Sequence, residues 1–241
     1  MQRKQFLHHL GALAGVAALG PLVSACGGGS DSAVSVPATT TTTTPPTTTP
    51  TTASTTTTTT TTPSSTSVGL SADEIAGLKF MREEEKLAHD VYVAMYAMWG
   101  HNTFENIAES ETTHTEAILA LLNKYGVDDP AAGKPPGVFE DSGLQHLYDA
   151  LVAAGGANLI EGLKVGALIE ETDIQDIEER KAVTDEADIL RVYDSLLCGS
   201  RNHLRAFNKA LLDQGVTYVS QVISQQEWDA IASSARETCG G

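Results

Sequence analysis

The chain is short of positive charge, of cysteine and of long apolar runs. Lys and Arg number 15 against 31 Asp and Glu, a formal charge of −16 over 241 residues. Nucleic-acid binding needs a basic surface that neutralises phosphates, so that class of partner is excluded. Strong acidity favours solubility and is compatible with attracting cations. The apolar run from Leu10 to Val23 is shorter than a membrane-spanning helix requires. From Gly27 to Ser67 apolar residues nearly vanish. Thr dominates there, punctuated by Pro37, Pro45, Pro46, Pro50 and Pro63, and such a stretch has almost nothing to bury.

What is present divides into three parts. Residues 1–25 read as an export signal: Arg3 and Lys4, then the apolar run, with no acidic residue. The run ends in Leu22-Val-Ser-Ala-Cys26, which resembles a bacterial lipoprotein cleavage box. On that reading Cys26 becomes a lipidated N-terminus, and the protein is exported and anchored to a membrane, facing the periplasm or cell exterior. An ordinary secretory signal with a chance cysteine is the alternative. Residues 26–67 are expected to be an extended, flexible tether of a composition suited to O-glycosylation. Residues 68–241 are long enough for one folded domain. If Cys26 carries the lipid, Cys198 and Cys239 remain as the two cysteines that an oxidising compartment allows to pair.

The folded part reads all-α. Ser71-Ala-Asp-Glu74 is a capping box that opens a helix running to about Trp99. After a turn at Gly100-His-Asn102, a second helix runs from about Thr103 to Tyr125. The segment from Gly126 to Asp141, with three prolines, is a loop. A short helix near Leu144 to Ala154 follows, then long helices over about 158–181 and 186–214, and a last short helix capped by Ser224-x-x-Glu227. Short links within each pair and a long one between the pairs predict two antiparallel helical hairpins joined by a crossover.

Every long helix carries an apolar stripe with a polar interruption. The stripes are Leu78, Met81, Glu85, Ala88, Tyr92, Met95 and Trp99; Phe104, Ile107, Glu111, His114, Ile118, Leu121 and Tyr125; Ile160, Leu163, Ala167, Glu170, Ile174 and Ile177; and Ile189, Tyr193, Leu196, Ser200, His203, Phe207 and Ala210. Residues at these spacings share one face. Glu171 falls on a face with Lys164, Gln175 and Glu178 and is expected in solvent. Glu83 and Glu84 beside Glu85 have the look of a solvated patch. Taken singly, each interruption is unremarkable. Jointly, three carboxylates and two imidazoles converge on one core, where unpaired they would be strongly destabilising. Bound metal relieves that cost; a metal-free hydrogen-bond network is the other solution.

The pattern resembles the ferritin-like di-iron carboxylate superfamily, in which one Glu comes from each of two helices and Glu-x-x-His from the other two. Glu85, Ala88 and Tyr92 match a rubrerythrin-like Glu-x-x-Ala-x-x-x-Tyr spacing, and Ile107, Ala108, Glu111 and His114 match Ile-Ala-x-x-Glu-x-x-His. The segments around Phe80–Tyr92, Gly166–Ile174 and Gly199–Phe207 resemble an uncharacterised bacterial and archaeal branch, a domain of unknown function. The resemblance implies a ferritin-like four-helix bundle with short extra helices, holding one or two ions of iron, with manganese or zinc as options. It implies Glu85 and Glu170 as terminal ligands, Glu111 as bridge, His114 and His203 as nitrogen ligands, and Tyr92 as a hydrogen-bond donor or redox participant. Oxygen or peroxide would be the reactant, in ferrous-iron oxidation or peroxide reduction. Two features depart from the pattern. Ser200 stands where the last Glu is expected, leaving Asp173 as the substitute carboxylate. No Cys-x-x-Cys pair supplies a rubredoxin-type electron carrier, so an electron donor is unidentified. Passive metal storage, a structural metal, a metal-free interaction module and a homodimer remain open at this level.

Overall fold

The computed structural model describes residues 69–240. The expected signal, lipidation site and tether lie outside the described residues. Among the described residues the protein is all-helical, with six helices and no strand: α1 (Ala72–Trp99), α2 (Asn102–Tyr125), α3 (Ser142–Gly155), α4 (Leu159–Lys181), α5 (Ala187–Asp213) and α6 (Gln225–Ser233).

Local chemistry sets these boundaries. Ser71 and Glu74 cap each other at the start of α1, which satisfies amide donors that have no partner inside the helix. Gly100 and Gly126, both left-handed, end α1 and α2, a conformation that glycine adopts without Cβ strain. Asn158 and Ser224 cap α4 and α6 through their side chains. The short connections turn α1 against α2 and α4 against α5, the two closest-packed pairs. Across the pairs α1 meets α4 and α2 meets α5, while α3 lies over α1 and α4. None of these helices is long and apolar enough to cross a membrane.

Cys198 on α5 and Cys239 in the C-terminal tail form a disulfide with Cα atoms 5.4 Å apart. Glu237 strengthens the same attachment by pairing with Arg201 and Arg205.

Two expectations about surface charge are overturned. Glu171, expected in solvent, is fully buried. The segment between α5 and α6 folds back over α4, and the amide N–H groups of Gln221, Val222 and Ile223 donate to its carboxylate. Glu83 and Glu84 are buried as well. Glu83 accepts the N–H groups of Glu140 and Asp141 ahead of α3. A carboxylate bonded this way can be buried at modest cost.

Candidate metal centre

The polar interruptions of the four long helices meet at one level of the core. Glu85, Glu111, His114, Glu170 and His203 are each at least nine-tenths buried. Their donor atoms fall into two overlapping groups, Glu85, Glu111 and His114, then Glu111, Glu170 and His203, with the atoms of each group within 4.8 Å of one another. Glu111 belongs to both. Its Oε2 lies 2.8 Å from Nδ1 of His114, and its Oε1 lies 2.8 Å from Nδ1 of His203. Each imidazole also faces a carboxylate on another helix: Glu85 at 3.2 Å from His114 and Glu170 at 3.4 Å from His203. The rings lie side by side, 5.4 Å between centroids.

The surroundings fix these orientations. Nε2 of His203 is 2.8 Å from the hydroxyl of Ser110, which turns Nδ1 toward the carboxylates. The Tyr92 hydroxyl donates to Glu170. Gly199 sits against the His114 ring so closely that a Cβ there would be 2.4 Å from Nε2. An interior glycine costs a helix about 1 kcal/mol relative to alanine, and this contact explains its position. Above the cluster Tyr92, Phe104 and Phe207 form an aromatic layer, with ring centroids 5.2 and 5.8 Å from Phe207.

Without metal, charges in the cluster are set by burial and by each other. Burial pushes the Glu85 carboxyl up, to about 7, although His114 draws it down. Burial acts on Glu111 in the same direction, but the imidazoles of His203 and His114 outweigh it and hold the carboxyl far below the usual range. Burial disfavours a charged His203, yet Glu111 and Glu170 raise it to about 10. His114 is likewise held up by Glu111 and Glu85 against its burial. Burial also raises the Tyr92 hydroxyl well above its normal value, with Glu170 adding to the effect.

The residues fit a metal on two grounds. The set offers three carboxylates and two imidazoles, donors suited to iron, manganese or zinc. It also contains buried atoms with no hydrogen-bond partner, Oε1 of Glu85 and Nδ1 of His203. The latter is close to two carboxylates, Glu111 and Glu170, but aligned with neither.

Of the residues singled out in the sequence, five are thus brought together, and Tyr92 joins them through Glu170. Asp173 stands apart from both donor groups. Its side chain accepts a hydrogen bond from Ser200, so the serine in place of the expected glutamate holds a neighbouring carboxylate. Ser110 and Gly199 were not legible as parts of the site. A glycine in mid-helix was the available hint for Gly199; Ser110 gave none.

The chain has relatives at high identity. The protein is 46% identical over 168 residues to an uncharacterized protein, MJ0754, of Methanocaldococcus jannaschii, covering 70% of this chain and 91% of that one. The crystal structure of hypothetical protein MJ0754 from Methanococcus jannaschii DSM 2661 superposes with a TM-score of 0.69, covering 70% of this chain and 96% of that chain. Residues 74–235 match a family described as an uncharacterized protein domain, DUF2202. On that match and that identity, the chain belongs to the DUF2202 family.

Proposed function

We propose that this protein is a ferritin-like metalloprotein that binds two metal ions, iron foremost, in the Glu/His cluster. The observation that carries the reading is Glu111, whose two oxygens are presented to two separate imidazole nitrogens at 2.8 Å each. A carboxylate so placed would bridge two ions, one held with Glu85 and His114, the other with Glu170 and His203. Helices paired as α1 with α2 and α4 with α5 supply these side chains in the manner of a ferritin-like bundle.

Iron bound there supplies the electron transfers needed to oxidise ferrous ions with oxygen or to reduce peroxide. The chain's own groups prepare the site. Ser110 sets the His203 tautomer, Tyr92 holds one oxygen of Glu170, and the layer of Tyr92, Phe104 and Phe207 excludes water from one side. His114 and His203 carry protons in the metal-free cluster and would release them on ligating a metal, so loading would weaken as pH falls.

The Cys198–Cys239 disulfide supports export to an oxidising compartment, in keeping with a signal at residues 1–25 and lipid attachment at Cys26. A metal-free ionic core is the second reading, favoured by the fact that both imidazoles already face carboxylates. Elemental analysis after anaerobic loading of the full chain with Fe²⁺ separates the two. Nearly two equivalents of iron are expected, and less than about half an equivalent of any metal rejects the metalloprotein. Oxygen uptake on adding further Fe²⁺ then distinguishes an oxidase from a storage or structural site.

A further inference from the structure

The aromatic layer closes one end of the cluster, but the opposite end is acidic. Below Glu85 and Glu170 lie Glu84 on α1 and Asp173 on α4, 6% and 5% exposed. Each has one carboxylate oxygen that is buried without any hydrogen-bond partner, Oε2 of Glu84 and Oδ1 of Asp173. Their other contacts draw them into one group. Glu84 shares a hydrogen bond with Asp176, one helical turn beyond Asp173 and only half-buried, while Ser200 anchors the second oxygen of Asp173. Arg180 is the next basic residue along α4, but its guanidinium stacks on the Phe80 ring at 4.8 Å and leaves Oε2 of Glu84 without a bond.

We propose that Glu84, Asp173 and Asp176 form an accessory divalent-cation site beside the Glu85–Glu111 centre, filled from the side of Asp176. Buried carboxylate oxygens without a hydrogen-bond partner, such as Oε2 of Glu84 and Oδ1 of Asp173, are strongly unfavourable. A hard or borderline cation with oxygen ligands removes that penalty. The donors do not lie as close together as those of the main cluster, so ligation requires the carboxylates to swing inward and water to complete the shell. Asp176 is the half-buried member of the group, while Glu84 and Asp173 are buried.

The probe is Mn²⁺ alone, added to the full chain and counted by equilibrium dialysis, with anomalous scattering locating the ions. Glu84→Gln and Asp173→Asn, near-isosteric changes that remove charge without volume, should each bind about one equivalent less than the unaltered protein. Asp176→Asn, at a half-buried position that places little demand on folding, should weaken the same equivalent about tenfold. In Glu111→Ala the accessory ion should remain while ions at the main centre are lost. Undiminished Mn²⁺ in Glu84→Gln and Asp173→Asn, or no anomalous peak among the three carboxylates, overturns the proposal. A peak there with none beside Glu111 upholds it and rejects the dinuclear centre instead.

Discussion

Around Glu85 and His114 the side chains come from α1 and α2, and around Glu170 and His203 from α4 and α5, with Glu111 reaching across to serve both. The two halves are satisfied in opposite ways. In the first, Nδ1 of His114 is hydrogen-bonded to Glu85, and Oε1 of Glu85 is left without a partner. In the second, Glu170 is held by Tyr92, and Nδ1 of His203 is the atom without a partner. Each half therefore keeps one buried polar atom without a hydrogen-bond partner. The second half also lacks a glutamate at Ser200 and has Asp173 hydrogen-bonded there. The comparison implies a pair of unequal positions, the first shaped by sterics through Gly199 and the second by hydrogen bonds through Ser110 and Tyr92.

The largest effect should come from the residue the halves share. Glu111→Ala removes the partner of two buried imidazoles at once. It should abolish iron or manganese retention in both halves and leave only the accessory ion, as located by anomalous scattering. It should also destabilise the metal-free protein by about 3–5 kcal/mol, as expected when a buried charge loses its partner. If Glu111→Ala retains an ion in either half, the two positions are independent and Glu111 is not a bridge.

Gly199→Ala separates the halves. The added Cβ would fall 2.4 Å from Nε2 of His114, so the ring must move, at a cost of about 1–3 kcal/mol. Metal should be lost from the Glu85 side while the His203 side keeps its ion, which anomalous scattering resolves. Equal loss from both would show that the halves are coupled through more than Glu111.

Tyr92→Phe tests the second half alone. It deletes a buried hydrogen bond to a carboxylate, worth about 1.5–3 kcal/mol at most, without opening a cavity. Thermal denaturation should show the loss, and the His203-side ion should bind more weakly while the His114-side ion is unchanged. An unaltered metal profile would reduce Tyr92 to a core aromatic.

Much of this geometry is legible in the sequence for a definite reason. A charged residue in an apolar stripe stands out, and Glu85, Glu111, His114, Glu170 and His203 all interrupt stripes at helical spacing. Helix ends are legible where caps announce them, as at Ser71 and Ser224. Helical periodicity is silent where a carboxylate is buried by something other than the facing helix. Glu171 is covered by an irregular segment 50 residues away, and Glu83 by the loop ahead of α3. Glu84 hides within a run of three glutamates whose neighbours suggest solvent. Ser200 shows the reverse case: its departure from the resemblance was visible, but its partnership with Asp173 needed the packed helices.

The smallest effect concerns the tail that braces the α5 half from outside. Arg201, with Arg205, holds the Glu237 carboxyl down to about 2, below the ordinary glutamate range. Because the folded value is the lower one, the ion pairs stabilise fully above the unfolded value and lose that contribution as pH falls toward about 2. The group is partly exposed, so solvent screening keeps the contribution within about 1 kcal/mol. Glu237→Gln should therefore melt slightly below the unaltered protein at about pH 7, and the gap should close on acidification. The disulfide from Cys198 still ties the tail down in both proteins, so the difference isolates the charges. If the His203-side ion loosens in Glu237→Gln while the Glu85-side ion does not, the brace reaches the metal. If neither changes, the inequality of the two halves is set entirely within the core.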